Sequence, residues 1–400
     1  MRPLEIGVVG AGTAGMAAAL LLRRVGHAVT LIERVAEPGA VGAGIVLQPS
    51  GLGVLVRLGL DGPIRAAGAR LDGLTCRNRR WTILDLRYAR LASGLFGLGL
   101  HRGVLFSTLF EALSRSGVAL VAGRAATRVE ASGDRHFVRL EGAGRLGPFD
   151  LVVVADGARS ALRAQVAPHA IVRPYPWGAL WFVGDTPAEA PPRLVQAVHG
   201  THEMIGLLPT GRGPMPGGPL SSLFVSVPLR AVAAIRAGDL GAFRAHLAAQ
   251  LPEAAPLAAQ LVRWEQLLVA AYHDVVLPAW HDRGVVLLGD AAHATSPQLG
   301  QGCNLALVDA ETLAAAIDTH ETLPGALAAY SRARRGALGF YQRATRWLTP
   351  LFQSDDAALA PLRDVGLALL SRAPLFERRM LESMAGMSTG WLSATPVGPA

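Results

Sequence analysis

The chain has 400 residues, which is enough for two or three domains, and its 51% hydrophobic and 17% charged content excludes a disordered polar chain. All 38 basic residues are arginine and are dispersed along the chain, so the net charge of +8 indicates a solvated surface and no nucleic-acid partner. Only Cys76 and Cys303 are present, without a CxxC partner, and we therefore expect a reducing, cytoplasmic setting and no metal site.

The N-terminal segment predicts one βαβ unit. Its apolar run at 4–22 is long enough to suggest a signal peptide or a membrane helix, but Glu5 and several glycines interrupt that run. A buried strand at 6–9, a glycine turn, a helix at 14–25 and a second strand at 27–32 fit these residues better. Since the remaining sequence has no other uninterrupted apolar run of 18 residues, no membrane span is expected.

The later segments interleave two kinds of pattern. Strand-like alternation fills 70–90 and 171–276, whereas helix and strand patterns of the α/β type lie between and after these zones. This interleaving predicts a nucleotide-binding domain with a strand-rich substrate domain inserted into it. The expected boundaries are 1–70, 95–168 and 278–345 for the first domain, 71–94 and 169–277 for the second, and 346–400 for a helical C-terminal segment.

A glycine-rich turn lies between the first predicted strand and helix, with the sequence Gly10-Ala11-Gly12-Thr13-Ala14-Gly15. In a dinucleotide site the three glycines permit the tight turn, backbone approach to a pyrophosphate and packing of helix on strand. Glu33 follows the second strand, where a carboxylate accepts hydrogen bonds from ribose hydroxyls and repels a 2′-phosphate. The pattern favours FAD or NAD over NADP, although the glycines alone could merely permit a tight turn.

Two further motifs each follow an apolar strand. One is Asp156-Gly157-Ala158-Arg159-Ser160-Ala161-Leu162-Arg163, and the other begins at Gly289-Asp290-Ala291-Ala292-His293 and continues through Pro297 to 300–304. Each motif places an aspartate at the carboxyl end of a strand, which is the edge where open α/β sheets bind ligands. Either aspartate taken alone could equally be a helix cap.

Together these three motifs, in this order, resemble the flavin-dependent aromatic hydroxylases, the single-component group A monooxygenases that include p-hydroxybenzoate and salicylate hydroxylase. The resemblance covers about residues 1–340. It implies an α/β fold with a Rossmann-type FAD-binding domain, an inserted, mainly antiparallel substrate domain and a helical C-terminus. It also implies an enzyme that uses NADH or NADPH and O2 to oxygenate an aromatic or conjugated molecule through a flavin C4a-hydroperoxide. Whether the protein is a monomer or a homodimer stays open.

The resemblance also assigns cofactor residues. Gly10 to Gly15 would hold the FAD pyrophosphate, Glu33 the adenosine ribose and Arg102 the ribityl and phosphate region, while Ala126 falls where the family's backbone pairs with adenine. The helix that begins near Gly302 would direct its N–H groups toward the negative charge of reduced flavin. The full expected cofactor set is Gly10, Ala11, Gly12, Thr13, Ala14, Gly15, Glu33, Arg34, Gly44, Arg102, Ala126, Asp156, Asp290, Pro297, Gly300, Gly302, Cys303 and Asn304.

Substrate-side residues are expected in the inserted zone. The candidates for substrate binding are Trp177, Trp181, His202, Met204 and Tyr272, and the candidates for catalysis are His202 and Pro297. A near-neutral base at His202 could assist ionisation of a phenol, although a lone histidine or a strand aromatic is often structural. Cys303 is expected to be a small apolar filler and not a nucleophile, because no base accompanies it.

Other functions remain open at this stage. A related flavin epoxidase, a reductase of an apolar substrate and a non-catalytic FAD-binding accessory protein share the same motifs. A halogenase is disfavoured because the chain has no WxWxIP motif and no lysine. Substrate-stimulated oxidation of NADH or NADPH distinguishes an enzyme from an accessory protein.

Overall fold

The computed structural model describes residues 1–40, 42–142 and 144–396. The strands are β1 (Glu5–Val9), β2 (Ala28–Ile32), β3 (Gly44–Leu47), β4 (Ala69–Leu71), β5 (Gly73–Arg77), β6 (Thr82–Arg87), β7 (Gly97–His101), β8 (Ala119–Val121), β9 (Ala126–Ser132), β10 (Arg135–Leu140), β11 (Arg145–Phe149), β12 (Leu151–Val154), β13 (Ile171–Asp185), β14 (Leu194–His199), β15 (Glu203–Arg212), β16 (Pro219–Pro228), β17 (Leu268–Val276), β18 (His281–Asp282) and β19 (Val285–Leu287). The helices are α1 (Thr13–Arg24), α2 (Pro49–Leu58), α3 (Asp61–Ala67), α4 (Arg102–Arg115), α5 (Arg163–Val166), α6 (Val232–Ala237), α7 (Leu240–Gln250), α8 (Ala255–Ala258), α9 (Asp290–His293), α10 (Gly302–Thr319), α11 (Leu323–Phe352), α12 (Leu359–Leu370) and α13 (Pro374–Met384).

A six-stranded sheet in the order β18-β19-β12-β1-β2-β8 carries the three motifs. Its inner strands β2, β1, β12 and β19 are parallel neighbours, and β1 and β12 are almost wholly apolar and buried, as expected for a sheet covered on both faces. Each of β1, β12 and β19 runs directly into one of the motifs. The carboxyl ends of these strands therefore bring the glycine turn and both aspartate motifs to one edge of the sheet.

A second sheet has seven strands in the order β17-β13-β16-β15-β14-β5-β6. Its pairs are antiparallel except β14 with β5, and its strands come from the two zones where alternation was predicted. Leu180, Leu207 and Leu223 point to one face, where they pack under α7 and α8. Because side chains alternate along a strand, the opposite face carries Trp181 and Phe224 and is directed away from those helices. The predicted α/β class with a mainly antiparallel insertion is confirmed.

The C-terminal region is helical, as predicted, but its start differs from the expected boundary. The helix α11 runs without a break from Leu323 to Phe352, so the boundary expected at 345/346 lies inside this helix. The same helix exposes the arginines at 332, 335, 343 and 346, and its opposite side packs on the first sheet through residues such as Tyr330 and Leu338. Among the residues described, no helix is both long enough and apolar enough to cross a bilayer.

Candidate active site

The glycine turn is shaped by contacts that leave no room for side chains at two positions. Gly10 has φ +101°, and a Cβ there would lie 2.5 Å from the carbonyl oxygen of Ala155. A Cβ at Gly15 would overlap the carbonyl oxygen of Gly10, whereas a Cβ at Gly12 would meet no atom within 4 Å. The first and third glycines are therefore required by packing, and Gly12 borders open space at the helix N-terminus.

Glu33 is held beside this turn. Its carboxylate accepts hydrogen bonds from the backbone N–H of Ala11 (2.7 Å) and of Val35 (2.9 Å). The backbone N–H of Arg124 donates to the carbonyl oxygen of Glu33 (3.0 Å), and Ala126 begins β9 two residues later. Glu33, expected at the ribose, and Ala126, expected at the adenine, thus lie on adjacent segments. The neighbouring Arg34 is exposed.

Arg163 joins the two aspartate motifs. Its buried guanidinium donates from Nε to the carbonyl oxygen of Ala291 (2.7 Å) and from one terminal nitrogen to that of Ala158 (2.8 Å). In the same motif, one carboxylate oxygen of Asp156 accepts from the N–H of Ala161 (3.0 Å), whereas the buried Oδ1 has no partner among the described residues. Burial raises the pKa of Asp156. Sequence reasoning included Arg163 in the motif but did not anticipate its role in joining the two loops.

Four segments converge at Cys303. Burial raises the pKa of its thiol to about 11, while nearby Arg102 and a hydrogen bond with Thr13 act in the opposite direction, and Asp290 also lies close. The thiol therefore stays protonated, in agreement with a filler and not a nucleophile. The contacts bring together the glycine turn, the N-terminus of α4, and the start of both α9 and α10.

The loop at 297–304 combines exposed backbone with buried polar side chains. Pro297, Gly300 and Gly302 are exposed, and Gly300 has φ +62°. Asn304 is buried; its amide nitrogen donates to the carbonyl oxygens of Val46 (3.0 Å) and Gly300 (3.2 Å). The side chain of Asn304 thus attaches the loop to β3, which leaves the exposed loop backbone available for a ligand.

The C-terminal helix supports this loop from the other side. The amide of Gln301 donates to the carbonyl oxygens of Ser383 (3.1 Å) and Met384 (2.9 Å), at the end of α13. The Tyr341 hydroxyl donates to the Ser383 carbonyl oxygen as well (3.1 Å). No sequence pattern indicated that a helix some eighty residues later along the chain would hold the loop in place.

These features fit FAD. Space is open at Gly12 and Gly300, where a Cβ would meet no described atom, and one oxygen of Asp156 is buried without a partner. The helices α1 and α10, both described in full, have no acidic residue in the first turn and no side-chain cap. Their N–H groups and positive dipole ends therefore suit a pyrophosphate at α1 and an anionic reduced flavin at α10.

The inserted sheet adjoins this region through Gly44. The backbone N–H of Gly44 donates to Ser222 Oγ (2.9 Å) on β16. Phe224 lies two residues further on the same face, about 7 Å along the strand. The ring of Phe224 packs on Trp181 with a centroid distance of 5.0 Å, and Trp181 Nε1 donates to the Tyr272 hydroxyl (3.4 Å). We call Trp181, Phe224 and Tyr272 the aromatic wall.

Two of the expected substrate residues belong to the core. Trp177 is buried in the middle of β13, opposite Pro228 at the end of β16. Met204 packs with Val198 and Phe352 in a cluster that the end of α11 covers; Phe224 belongs to the same cluster and Trp181 packs against it. The alternative that strand aromatics and methionines serve the core therefore applies to both of them. Phe224, which sequence reasoning did not select, stands closer to Gly44 than Met204 does.

His202 is not brought to the site. It is exposed in the turn between β14 and β15, and its ring contacts His199 at a centroid distance of 5.6 Å. Thr210, which borders Gly44, lies eight residues further along β15, or about 27 Å at 3.4 Å per residue. This placement gives no support to His202 as a catalytic base or a substrate contact, and that assignment stays a prediction.

One tyrosine near the flavin loop gave no sequence signal. The hydroxyl of Tyr175 on β13 is buried beside Ser296, the residue before Pro297, but makes no hydrogen bond of good geometry among the described residues. Burial raises the pKa of Tyr175, as does the neighbouring Asp274. Tyr175 thus adds a protonated phenol to the groups beside this loop.

Comparisons with known proteins agree with this geometry. The family model described as "FAD binding domain" matches residues 4–339. The 3-amino-4-hydroxybenzoate 2-monooxygenase of Streptomyces cremeus is 34% identical over 343 residues, 81% of each chain. A kynurenine 3-monooxygenase of Xanthomonas campestris is 31% identical and covers 83% of this chain and 76% of its own. The crystal structure of Klebsiella pneumoniae HpxO complexed with FAD and uric acid has a TM-score of 0.81 at 24% identity, covers 98% of both chains and supports the fold.

Proposed function

Because the chain belongs to the group A family of FAD-dependent aromatic hydroxylases and is an FAD-dependent monooxygenase, we propose that it hydroxylates a compact aromatic ring bearing an amino or hydroxyl group. The observation that carries this proposal is the aromatic wall, whose half-buried Trp181 and Tyr272 can meet a ligand while Phe224 is buried beside Trp181, about 7 Å along β16 from the residue that contacts Gly44. Flat rings stack on or against such side chains with favourable offset or edge geometry.

The names of two relatives support the choice of ring. One acts on 3-amino-4-hydroxybenzoate and the other on kynurenine. A ring activated by an amino or hydroxyl group is electron-rich and suits attack on an electrophilic oxygen. Tyr272 gives the wall a polar edge. This edge argues against an epoxidase or a reductase of an apolar substrate, neither of which needs such a ring.

FAD is the cofactor, and the chain's own residues have distinct parts in holding it. We assign the pyrophosphate to the N–H groups at Gly12 and Thr13, the ribose to Glu33, and the ribityl chain to Arg102 and Asp290. The backbone of the loop at 300–302 would stabilise negative charge on the reduced ring. When bound, FAD takes two electrons from NADH or NADPH and activates O2 for transfer of one oxygen atom.

The organisation of the chain supports further assignments. We propose that 71–94 and 169–277 form the substrate domain, since their strands build one sheet, and that the flavin domain comprises the other segments up to α11. Two free cysteines, of which Cys76 is buried with a pKa raised to about 12, suit a reducing compartment, so we place the protein in the cytoplasm.

The function is tested with the purified, flavin-loaded protein. We expect 3-amino-4-hydroxybenzoate or kynurenine to accelerate anaerobic flavin reduction by NADH or NADPH and, in air, to give a product one oxygen atom heavier. Stimulation only by long apolar compounds, or reduction without an oxygenated product, would contradict the proposal and favour an epoxidase or a reductase. If FAD binds and no compound in a broad panel of phenols, anilines and quinolones stimulates reduction, an accessory role gains support.

Tyr272→Phe tests the aromatic wall. Burial raises the pKa of Tyr272 above its ordinary value of 10, so the phenol stays protonated across pH 6–9 and serves as a hydrogen-bonding group. Loss of one hydrogen bond predicts a KM about threefold to tenfold higher for the accepted substrate, with no change in the pH profile of kcat/KM. His202→Ala is the matched control and should change kcat/KM less than about twofold. A shifted pH profile in Tyr272→Phe would instead make this residue the base.

A further inference from the structure

The helix α12 carries its apolar side chains outward. The exposed positions of this helix are Pro361, Leu362, Val365, Leu369 and Leu370, all of them apolar. Leu362 is 64% exposed and Leu369 62% exposed, whereas Arg363 between them is only 1% exposed. This arrangement is the reverse of a surface helix in an ordinary globular protein, which turns its apolar stripe toward the core.

The outward orientation is fixed by the buried arginine. The Arg363 guanidinium donates to the carbonyl oxygens of Gly200 (2.7 Å) and Leu351 (3.0 Å), and pairs with Asp364 through Nε (2.8 Å). It also lies 5.3 Å from the centre of the Phe352 ring. Rotating the helix to bury its leucines would break the contacts to Gly200 and Leu351 and move the guanidinium away from the ring. The exposure of the leucines is therefore built into the packing of α12.

The first turn of α13 also carries exposed apolar side chains. After the three-residue connection 371–373, Leu375 is 70% exposed and Phe376 49% exposed. We call the set Leu362, Val365, Leu369, Leu370, Leu375 and Phe376 the α12–α13 face. Large contiguous apolar surfaces on soluble proteins mark sites of interaction with a protein or a membrane.

Among the described residues on and between α12 and α13, the most exposed charged side chains are arginines; Asp356, also exposed, precedes α12. Arg372 is exposed and has no carboxylate partner among the described residues, and Arg378 is exposed although it pairs with Glu382. The acids of the same segment are engaged and largely covered: Asp364 by Arg363, Glu377 by Arg90 (2.7 Å) and Glu382 by Arg378 (3.1 Å). The face is therefore apolar at its centre and positively charged at its rim.

We propose that the α12–α13 face docks into the interfacial region of an anionic lipid bilayer. An apolar helix face with basic residues beside it lies in the plane of such an interface, and lipid headgroups of negative charge complement the rim and the chain's net charge of +8. A second copy of the chain is the alternative occupant, and the oligomeric state tests it. The docking needs no spanning helix, and it is independent of the substrate proposed above.

The test is cosedimentation of the flavin-loaded protein with large vesicles. We expect binding to phosphatidylcholine vesicles that contain about 30% phosphatidylglycerol, weaker binding to phosphatidylcholine alone, and a decrease with added salt. The double variant Leu369→Asp, Leu375→Asp should bind the anionic vesicles at least about tenfold more weakly. It should keep its FAD content and melting temperature, because both side chains are exposed.

The control variant is Val262→Asp. Val262 is an exposed apolar residue beside α8, on the helical side of the inserted sheet, so this variant adds one negative charge, half that of the double variant, away from the face, and vesicle binding should be unaffected. The proposal is overturned if the parent chain does not bind anionic vesicles at low salt, or if the double variant binds as well as the parent. It is also overturned if the parent is a dimer by analytical ultracentrifugation that the double variant converts to a monomer, since a second copy then covers the face.

Discussion

Gly15→Ala is expected to abolish FAD binding and to lower the melting temperature of the protein even without FAD. A methyl group at this position would overlap the carbonyl oxygen of Gly10. The overlap is relieved only by moving α1 away from the glycine turn, yet residues 14–22 of α1 are all buried in the core. Overpacking of this kind costs about 1–3 kcal/mol or more, because neighbouring backbone cannot give way as a flexible side chain does.

Gly12→Ala is the matched control within the same turn. A Cβ there meets no described atom within 4 Å, so the melting temperature of the FAD-free protein should be unchanged. The methyl group would stand where backbone must approach a pyrophosphate, and FAD affinity should fall about tenfold or more. The measurements are the ratio of flavin to protein absorbance after purification and thermal unfolding of both FAD-free variants. If Gly12→Ala binds FAD like the parent, the turn is not the pyrophosphate site.

The glycine turn is an example of a feature that the sequence alone could predict. The βαβ unit and its turn depend on residues within 33 positions of one another, so apolar continuity and glycine spacing suffice to place them. The position of Glu33 at the end of β2 is predictable for the same reason. In the structure its carboxylate accepts a hydrogen bond from the N–H of Ala11. The two aspartate motifs were also expected at the ends of strands, since a strand's carboxyl end is local information.

Other features depend on contacts between distant segments, which no local pattern encodes. The amide of Gln301 donates to the carbonyl oxygens of Ser383 and Met384. Every residue has such a backbone carbonyl, so the sequence does not indicate which of them accept. The sequence around His202 does not indicate at which end of a hairpin this residue lies. In α12 the burial of Arg363 depends on acceptors from Gly200 and Leu351, which the sequence of this helix does not indicate.

A buried charge network holds the second aspartate motif in place, and Asp309 is at its centre. Its carboxylate is fully buried on α10 and accepts hydrogen bonds from Gly289 N–H (3.1 Å), from Arg334 Nε on α11 (2.7 Å) and from His293 Nε2. Burial alone raises the pKa of Asp309, but His293 and Arg334 outweigh that effect and hold it below its ordinary value. One side chain thus fixes the start of α9 relative to two long helices.

Asp309→Asn should therefore lower the free energy of unfolding by about 3–5 kcal/mol, because it leaves the buried Arg334 guanidinium without a counter-charge. The depressed pKa means that this stabilisation is present above about pH 4 and is lost as pH falls through the folded-state pKa. Urea unfolding at pH 7 and at about pH 3, below the ordinary aspartate pKa, measures both effects, and the variant should lose less stability on acidification than the parent. Glu311→Gln, on the same helix but paired with the exposed Arg57, should cost at most about 1 kcal/mol. Equal stability of the two variants would mean that His293 and Arg334 do not depend on this carboxylate, and that packing alone holds the motif.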